Sequence, residues 1–224
     1  MATEATIEVK FQSPGPQPNG LQATADGLWY IDQRDHKVYK LDWNTGETLF
    51  EAQTSTDRSS GITVGGGYMW IASTYNCQIH KLNENSGETI AVYDTPGKGV
   101  VAFRDATTDP RVTGGHGLEW LDGMLWIAVP PSQMVYVVEP EAWKVINSFR
   151  APGLRVHGIA FDADGMLWTA DTAAGTVSLL DPKDGRVLDV VRVPGPTEVH
   201  GMTIKDDVLW FADAQSRDIG TLTF

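Results

Sequence analysis

Residues 157–195 read HGIAFDADGMLWTADTAAGTVSLLDPKDGRVLDVVRVPG. Four short runs, HGIAF, MLWTAD, TVSLLD and RVLDVVRV, are separated by turn residues, two of the breaks being Asp-Gly pairs (Asp164-Gly165 and Asp184-Gly185). The runs are too short for helices, rich in β-branched and aromatic residues, and bounded by Gly and Asp, which predicts an antiparallel meander of four strands.

The chain repeats this unit. The marker glycine recurs as Gly20, Gly61, Gly117, Gly158 and Gly201, at spacings of 41, 56, 41 and 43 residues. Each is followed by a tryptophan on the next run: Trp29, Trp70, Trp126, Trp168 and Trp210. A period of about 40–45 residues with four strands per unit is that of propeller blades, which cannot bury both sheet faces alone and so pack around an axis. The fold class expected is all-β: a single five-bladed β-propeller over residues 1–224. Its blades span about 19–57, 61–94, 116–153, 157–195 and 200–224 plus 6–11, with an insertion at 95–115. The last repeat has room for three strands only, whereas TIEVKF at the N-terminus is one strand to spare. Pairing Ile7–Phe11 beside Ile219–Phe224 closes the ring and removes two exposed edges. Residues 1 to 5 are expected to fray. The five tryptophans read as core, each filling the wedge between neighbouring blades.

Composition narrows the partners. Seventeen basic against 29 acidic residues give a net charge of −12, which argues against nucleic acid or an anionic membrane, because phosphates require Lys and Arg. Cys77 is the one cysteine and has no partner for an internal disulfide, which suits a reducing compartment. The N-terminus has no basic segment followed by an apolar run, and no stretch approaches the ~20 apolar residues of a membrane span. A cytoplasmic protein, monomeric or weakly homo-oligomeric, acting on a small molecule is the expectation.

Where the repeats disagree, function is sought. Just before the marker glycine stand Asn19, Ser60, His116, His157 and His200. First strands are innermost in a propeller, so these residues ring the channel and three imidazoles converge from consecutive blades. A second ring ends the second strands: Asp32, Ser73, Val129, Asp171 and Asp213. Its carboxylates either orient imidazoles or cap turns. Glu198 precedes His200 by two residues, and strand alternation puts both on one side. Asn19, Ser60, Asp171 and Asp213 are candidate substrate contacts, as are Arg104 and Arg111 (with Lys98) from the long insertion, which is too apolar for a solvated tail and reads as a lid or a binding loop rather than a surface insertion. His36 and His80 are expected to face solvent. Three neutral imidazoles with Glu198 are candidate ligands for a divalent metal, for which Zn, Fe, Ni, Co, Mn or Mg is open, imidazole suiting the first four better than Mg. Such an ion polarises a carbonyl or a bound water beside a general base.

At these residues the chain resembles the virginiamycin B lyase (streptogramin lyase) family. His157-Gly158-Ile159, Asp164-Gly165 and Leu167-Trp168-Thr169 follow its blade pattern, and the last blade is closest, with Glu198-Val199-His200-Gly201-Met202, Leu209-Trp210-Phe211-Ala212 and Ile219-Gly220-Thr221-Leu222. The resemblance implies metal-dependent C–O cleavage by elimination, with His200 as base, Glu198 a metal-binding carboxylate and His157 a further catalytic histidine. The family has seven blades and a second glutamate after its last Trp-Phe pair; this chain has five markers, and Asp213 there, which implies a smaller substrate. Two other classes stay open. One is a metal-dependent hydrolase or cyclase using metal-bound water, like lactonase-like propellers or five-bladed glutaminyl cyclases. The other is a non-catalytic propeller that binds a protein or small ligand, its histidines tying blades together.

Overall fold

The structure, a computed structural model, describes residues 3–105 and 107–224. Five antiparallel four-stranded meanders follow one another in the order in which they occur in the chain. Blade 1 is Pro18–Thr24, Gly27–Asp32, Lys37–Leu41 and Thr48–Gln53; blade 2 is Gly61–Gly65, Tyr68–Ser73, Gln78–Leu82 and Thr89–Asp94. Blade 3 is Leu118–Leu121, Met124–Val129, Met134–Glu139 and Lys144–Arg150; blade 4 is Val156–Phe161, Leu167–Asp171, Thr176–Leu180 and Val187–Arg192. Blade 5 takes Val199–Lys205, Val208–Asp213 and Asp218–Thr223 from the C-terminus and Thr6–Gln12 from the N-terminus as its outermost strand. The closing pair is antiparallel, with Ile7 opposite Leu222 and Phe11 opposite Ile219.

Within each blade exposure rises outward. The second strands are almost wholly buried, while the fourth strands alternate between exposed and half-buried residues in blades 1 and 2 and are mostly exposed in blades 3 and 4. That gradient is what sheets packed face to face around an axis require, since only the outermost edges meet water. Each gap between blades holds its own apolar cluster, organised by the repeat tryptophan. Trp29 packs with Ile62 and Met69, Trp70 with Leu118 and Leu125, Trp126 with Ile159 and Leu167, and Trp168 with Met202 and Leu209. Trp210 completes the ring against Leu21 and Leu28. Burying such a ring stabilises by roughly 2–3 kcal/mol at each gap.

At the axis the marker glycines explain themselves. A methyl group on Gly61 would collide with the carbonyl oxygen of His116, on Gly117 with that of His157, and on Gly201 with that of Asn19. Five first strands meet closely enough that one backbone occupies the space of the next residue's Cβ, so the channel is stoppered by Gly20, Gly61, Gly117, Gly158, Gly201 and their Leu, Ile and Met neighbours, with no room for water.

Two expectations need correction. Residues 3–5 are not frayed: Thr3 and Glu4 pair in parallel with Val191 and Arg192 of blade 4, and the Ala5 amide donates to the Arg192 carbonyl at 2.9 Å. Residues 1 and 2 lie outside the described residues. The N-terminal segment thus stitches blade 4 to blade 5, and a free edge strand is a stronger hydrogen-bonding partner than solvent when the chain already runs beside it. His80 is buried rather than solvent-facing, its Nε2 3.3 Å from Gln78 Oε1; the third strand of a blade is still inside the wedge. His36 is half-buried in a left-handed turn (φ 62°).

Candidate functional site

Above the glycine stopper the channel opens into a cavity of about 600 Å³. Its floor is His116, His157, His200 and Asn19, the residues immediately before the marker glycines. In blades 1, 4 and 5 the pairing of first and second strands slips at these residues, between Pro18 and Leu21, Val156 and Ile159, and Val199 and Gly201. Such bulges re-aim a side chain away from the regular alternation. Here they turn ring residues toward the mouth.

The three imidazoles meet edge to face, with ring centroids 4.3 Å apart for His116 and His157 and 4.9 Å for His157 and His200. His116 Nδ1 is 3.0 Å from His157 Nε2, a hydrogen bond between two neutral rings. His200 donates its Nδ1–H to the Glu198 carbonyl (3.1 Å), and its Nε2 stands 3.5 Å from Glu198 Oε2. The same carboxylate oxygen is 3.5 Å from Arg155 Nη1. His116 Nε2, Asn19 Oδ1 and Arg155 Nε are buried without a hydrogen-bond partner among the described residues. Unsatisfied polar atoms at a cavity wall are costly to the fold alone and mark a place where a ligand's polar groups fit.

Burial is the main influence on all three histidines and favours the neutral form. It takes His116 down to about 3, helped by the Arg155 charge and His200. His157 is lowered well below the usual range by burial, then by His116, His200 and Arg155. His200 is also lowered by burial and Arg155, but it alone is pulled back up, by the Glu198 carbonyl and carboxylate and by Asp213. Of the three, only His200 has groups beside it that oppose the lowering.

The Asp ring is a set of caps with a second purpose. Asp171 Oδ1 accepts from the Ala173 and Ala174 amides and its Oδ2 from Leu154 and Arg155, the latter at 3.2 Å. Asp213 Oδ1 likewise caps Gln215 and Ser216, and its Oδ2 takes the Glu198 amide at 3.1 Å. Asp32 does the same for Arg34, Asp35 and Gln17. Each carboxylate ties the turn after the second strand to the residue two before the ring position, and so fixes where Arg155, Glu198 and Gln17 stand. Asp171 and Asp213 are therefore not substrate contacts: their oxygens are spent on backbone amides and neither lines the cavity. Ser60 also falls away from the cavity. It accepts from Gln33 Nε2 at 2.9 Å and faces the stoppered axis. Lys98 pairs with Asp94 at 2.9 Å, outside the cavity.

Asn19, Arg104 and Arg111 do line the cavity, and the insertion folds over the mouth. Gly99–Val100 pairs with Val112–Thr113 as a small hairpin, Val101 is buried, and Phe103 stacks on the Arg155 guanidinium with 5.1 Å to the ring centroid. Sequence reasoning missed Arg34, Arg58, Tyr75 and Arg155, all of which line the cavity. The signal was in the repeat: two residues before the ring stand Gln17, Arg58, Gly114, Arg155 and Glu198. Only the last of these positions was noticed, although Gln17, Arg58 and Arg155 line the cavity.

The donor set does not fit a metal ion. Among the described residues no three His, Cys, Asp or Glu side chains are grouped to hold one. His116 and His157 turn nitrogens toward each other, and the Arg155 charge acts on all three rings, where a divalent cation would have to compete with it.

No protein-family model matches the chain, and no curated protein matches it by sequence. Solved structures do match by fold. A glutaminyl cyclase from Myxococcus xanthus aligns over 100% of this chain and 98% of its own, with a TM-score of 0.75 and 11% identity. A streptogramin B lyase aligns over 98% and 97%, with a TM-score of 0.58 and 18% identity. Catalytically inactive virginiamycin B lyase from Staphylococcus aureus, solved with quinupristin, aligns over 96% of this chain and 68% of its own, at a TM-score of 0.59 and 18% identity. The lyase-like propeller expected from the blade motifs is present as a fold, and the five-bladed all-β ring is the architecture of this chain.

Proposed function

We propose that this chain is an enzyme that removes a proton from carbon next to a carbonyl in a small substrate and eliminates an oxygen leaving group. The observation that carries this reading is the environment of His200: a neutral, buried imidazole at the cavity floor whose basicity is sustained by Glu198. His200 takes the proton; the C–H electron pair becomes the new C=C bond, and the C–O pair leaves with the oxygen. The Arg155 guanidinium, held beside the three rings by the bond of its backbone amide to Asp171, stabilises the enolate oxygen that develops. This guanidinium takes the polarising role that the sequence reading gave to a metal, for which these residues are not arranged.

A second reading, cyclisation of an N-terminal glutaminyl group with release of ammonia, is favoured by the mutual coverage with the glutaminyl cyclase fold. His200 would then carry the proton from the attacking amine to the departing ammonia. One experiment separates the two. The purified protein is incubated in D₂O with a panel of small β-hydroxy and β-acyloxy carboxylates and, separately, with glutaminyl dipeptides. Alkene signals, with solvent deuterium exchanged into the α-carbon of unreacted substrate, support elimination; ammonia release from the dipeptides supports cyclisation. His200→Gln should lower the active reaction by about 10²–10⁴-fold, the usual worth of a general base. Turnover unchanged in that variant refutes the assignment, and inertness toward both panels favours a binding propeller.

A further inference from the structure

Five of the chain's nine arginines, Arg34, Arg58, Arg104, Arg111 and Arg155, line one cavity in a protein of net charge −12. Arg155 belongs to the chemistry proposed above. The others gather where the insertion and blades 1 and 2 form the rim, and blade 2 in a ring of five faces blades 4 and 5 across the axis. Tyr75 holds two of them: the Arg58 guanidinium lies 4.9 Å and that of Arg111 5.6 Å from its ring centroid, and Arg111 Nη1 donates to the Tyr75 hydroxyl at 3.0 Å. One aromatic ring thus keeps two like charges close together and limits their rotamers, an arrangement that a bound anion relieves.

The carboxylates nearby do not cancel this charge. Asp109 pairs with Arg104 at 2.7 Å and reaches Arg111 only at 3.4 Å. Asp57, which also lines the cavity, stands 4.0 Å from His36. Arg34 and Arg58 have no carboxylate within 4 Å among the described residues.

We infer that this rim is an oxyanion site, and that the ligand carries a small group with two or more negative charges bound by Arg34, Arg58 and Arg111 while its reacting part lies over His200. A monocarboxylate would leave the rim with unneutralised charge, whereas a phosphoryl or polycarboxylate group offers several acceptor oxygens to guanidinia arriving from different blades. This deepens the elimination reading but stands on different residues.

The test is calorimetric titration of the full chain with inorganic pyrophosphate, citrate and acetate, followed by thermal unfolding at saturating anion. One saturable site for pyrophosphate or citrate, with acetate much weaker, is the expected result, and the stronger of the first two tells a phosphoryl from a polycarboxylate ligand. Arg58→Gln and Arg34→Gln should each weaken that site about 10- to 100-fold, the worth of a charge-assisted hydrogen bond, while Arg186→Gln on the outer face changes nothing. His200→Gln should keep anion binding and lose turnover, so the two proposals fail separately. Absence of a saturable site, or affinity unmoved in both Arg58→Gln and Arg34→Gln, overturns the inference.

Discussion

Replacing Glu119 by glutamine probes how tightly the axis is packed. Glu119 follows the glycine stopper along the first strand of blade 3 and is buried against Thr63 of blade 2, which in turn bonds Gln22 of blade 1. Burial pushes its carboxyl up to about 7 from 4.5, against the opposing pull of the Trp120 amide, Gln22 and Thr63. The folded protein therefore keeps the proton over a range in which the unfolded chain has lost it. The stability this contributes is fully present below pH 4.5 and is lost as pH rises through 7. The gap corresponds to about 3 kcal/mol. Glutamine keeps the shape and a donor but carries no charge at any pH. Glu119→Gln should match the native chain near pH 4 and exceed it by about 3 kcal/mol at pH 8–9. The assay is urea unfolding from pH 4 to 9, read as the difference between the two proteins, in which the titration of the buried histidines cancels. A difference that does not grow with pH refutes the assignment of a buried, protonated Glu119.

Three further outcomes are expected. Gly117→Ala forces a methyl group onto the His157 carbonyl and should cost about 1–3 kcal/mol by overpacking, measured by chemical denaturation. Asp213→Ala releases the Glu198, Gln215 and Ser216 amides together. It should destabilise by about 1.5–3 kcal/mol and, with Glu198 no longer held, lower turnover more than Asp32→Ala does, measured by steady-state kinetics beside unfolding curves. Because the histidine ring is not arranged as a metal cradle, dialysis against EDTA should leave the thermal midpoint unchanged and elemental analysis should find less than stoichiometric transition metal; one equivalent lost together with activity would restore the metal reading.

The histidines and the arginines differ in how visible they were. His116, His157 and His200 stand at the same step of three consecutive repeats, so the period alone places them around one axis. Arg58 and Arg155 occupy another shared step, two residues earlier, but there the five residue types differ and only Glu198 drew notice beside its histidine. Asp171 and Asp213 look like carboxylates of a site because they recur beside one; their role as caps depends on which amides reach them, and a turn's hydrogen bonds are not written in its composition. The link between Glu198 and His200 was expected from strand alternation, yet it arises through a bulge that carries His200 out of alternation and toward the carboxylate.

From sequence alone follow the five blades, the closure of the last by the N-terminal strand, the tryptophan wedges and the meeting of three imidazoles, because all of these are consequences of a repeat and its period. What only the tertiary structure decided is the gathering of guanidinium groups around one cavity. Arg58 and Arg155 share a repeat position, but Arg34 and Arg111 come from a blade turn and the insertion with no such spacing, and the potential at one point depends on distances in space rather than along the chain. The imidazoles supply nitrogen donors, and the guanidinia that share their cavity supply the positive charge on which the proposed anion site rests.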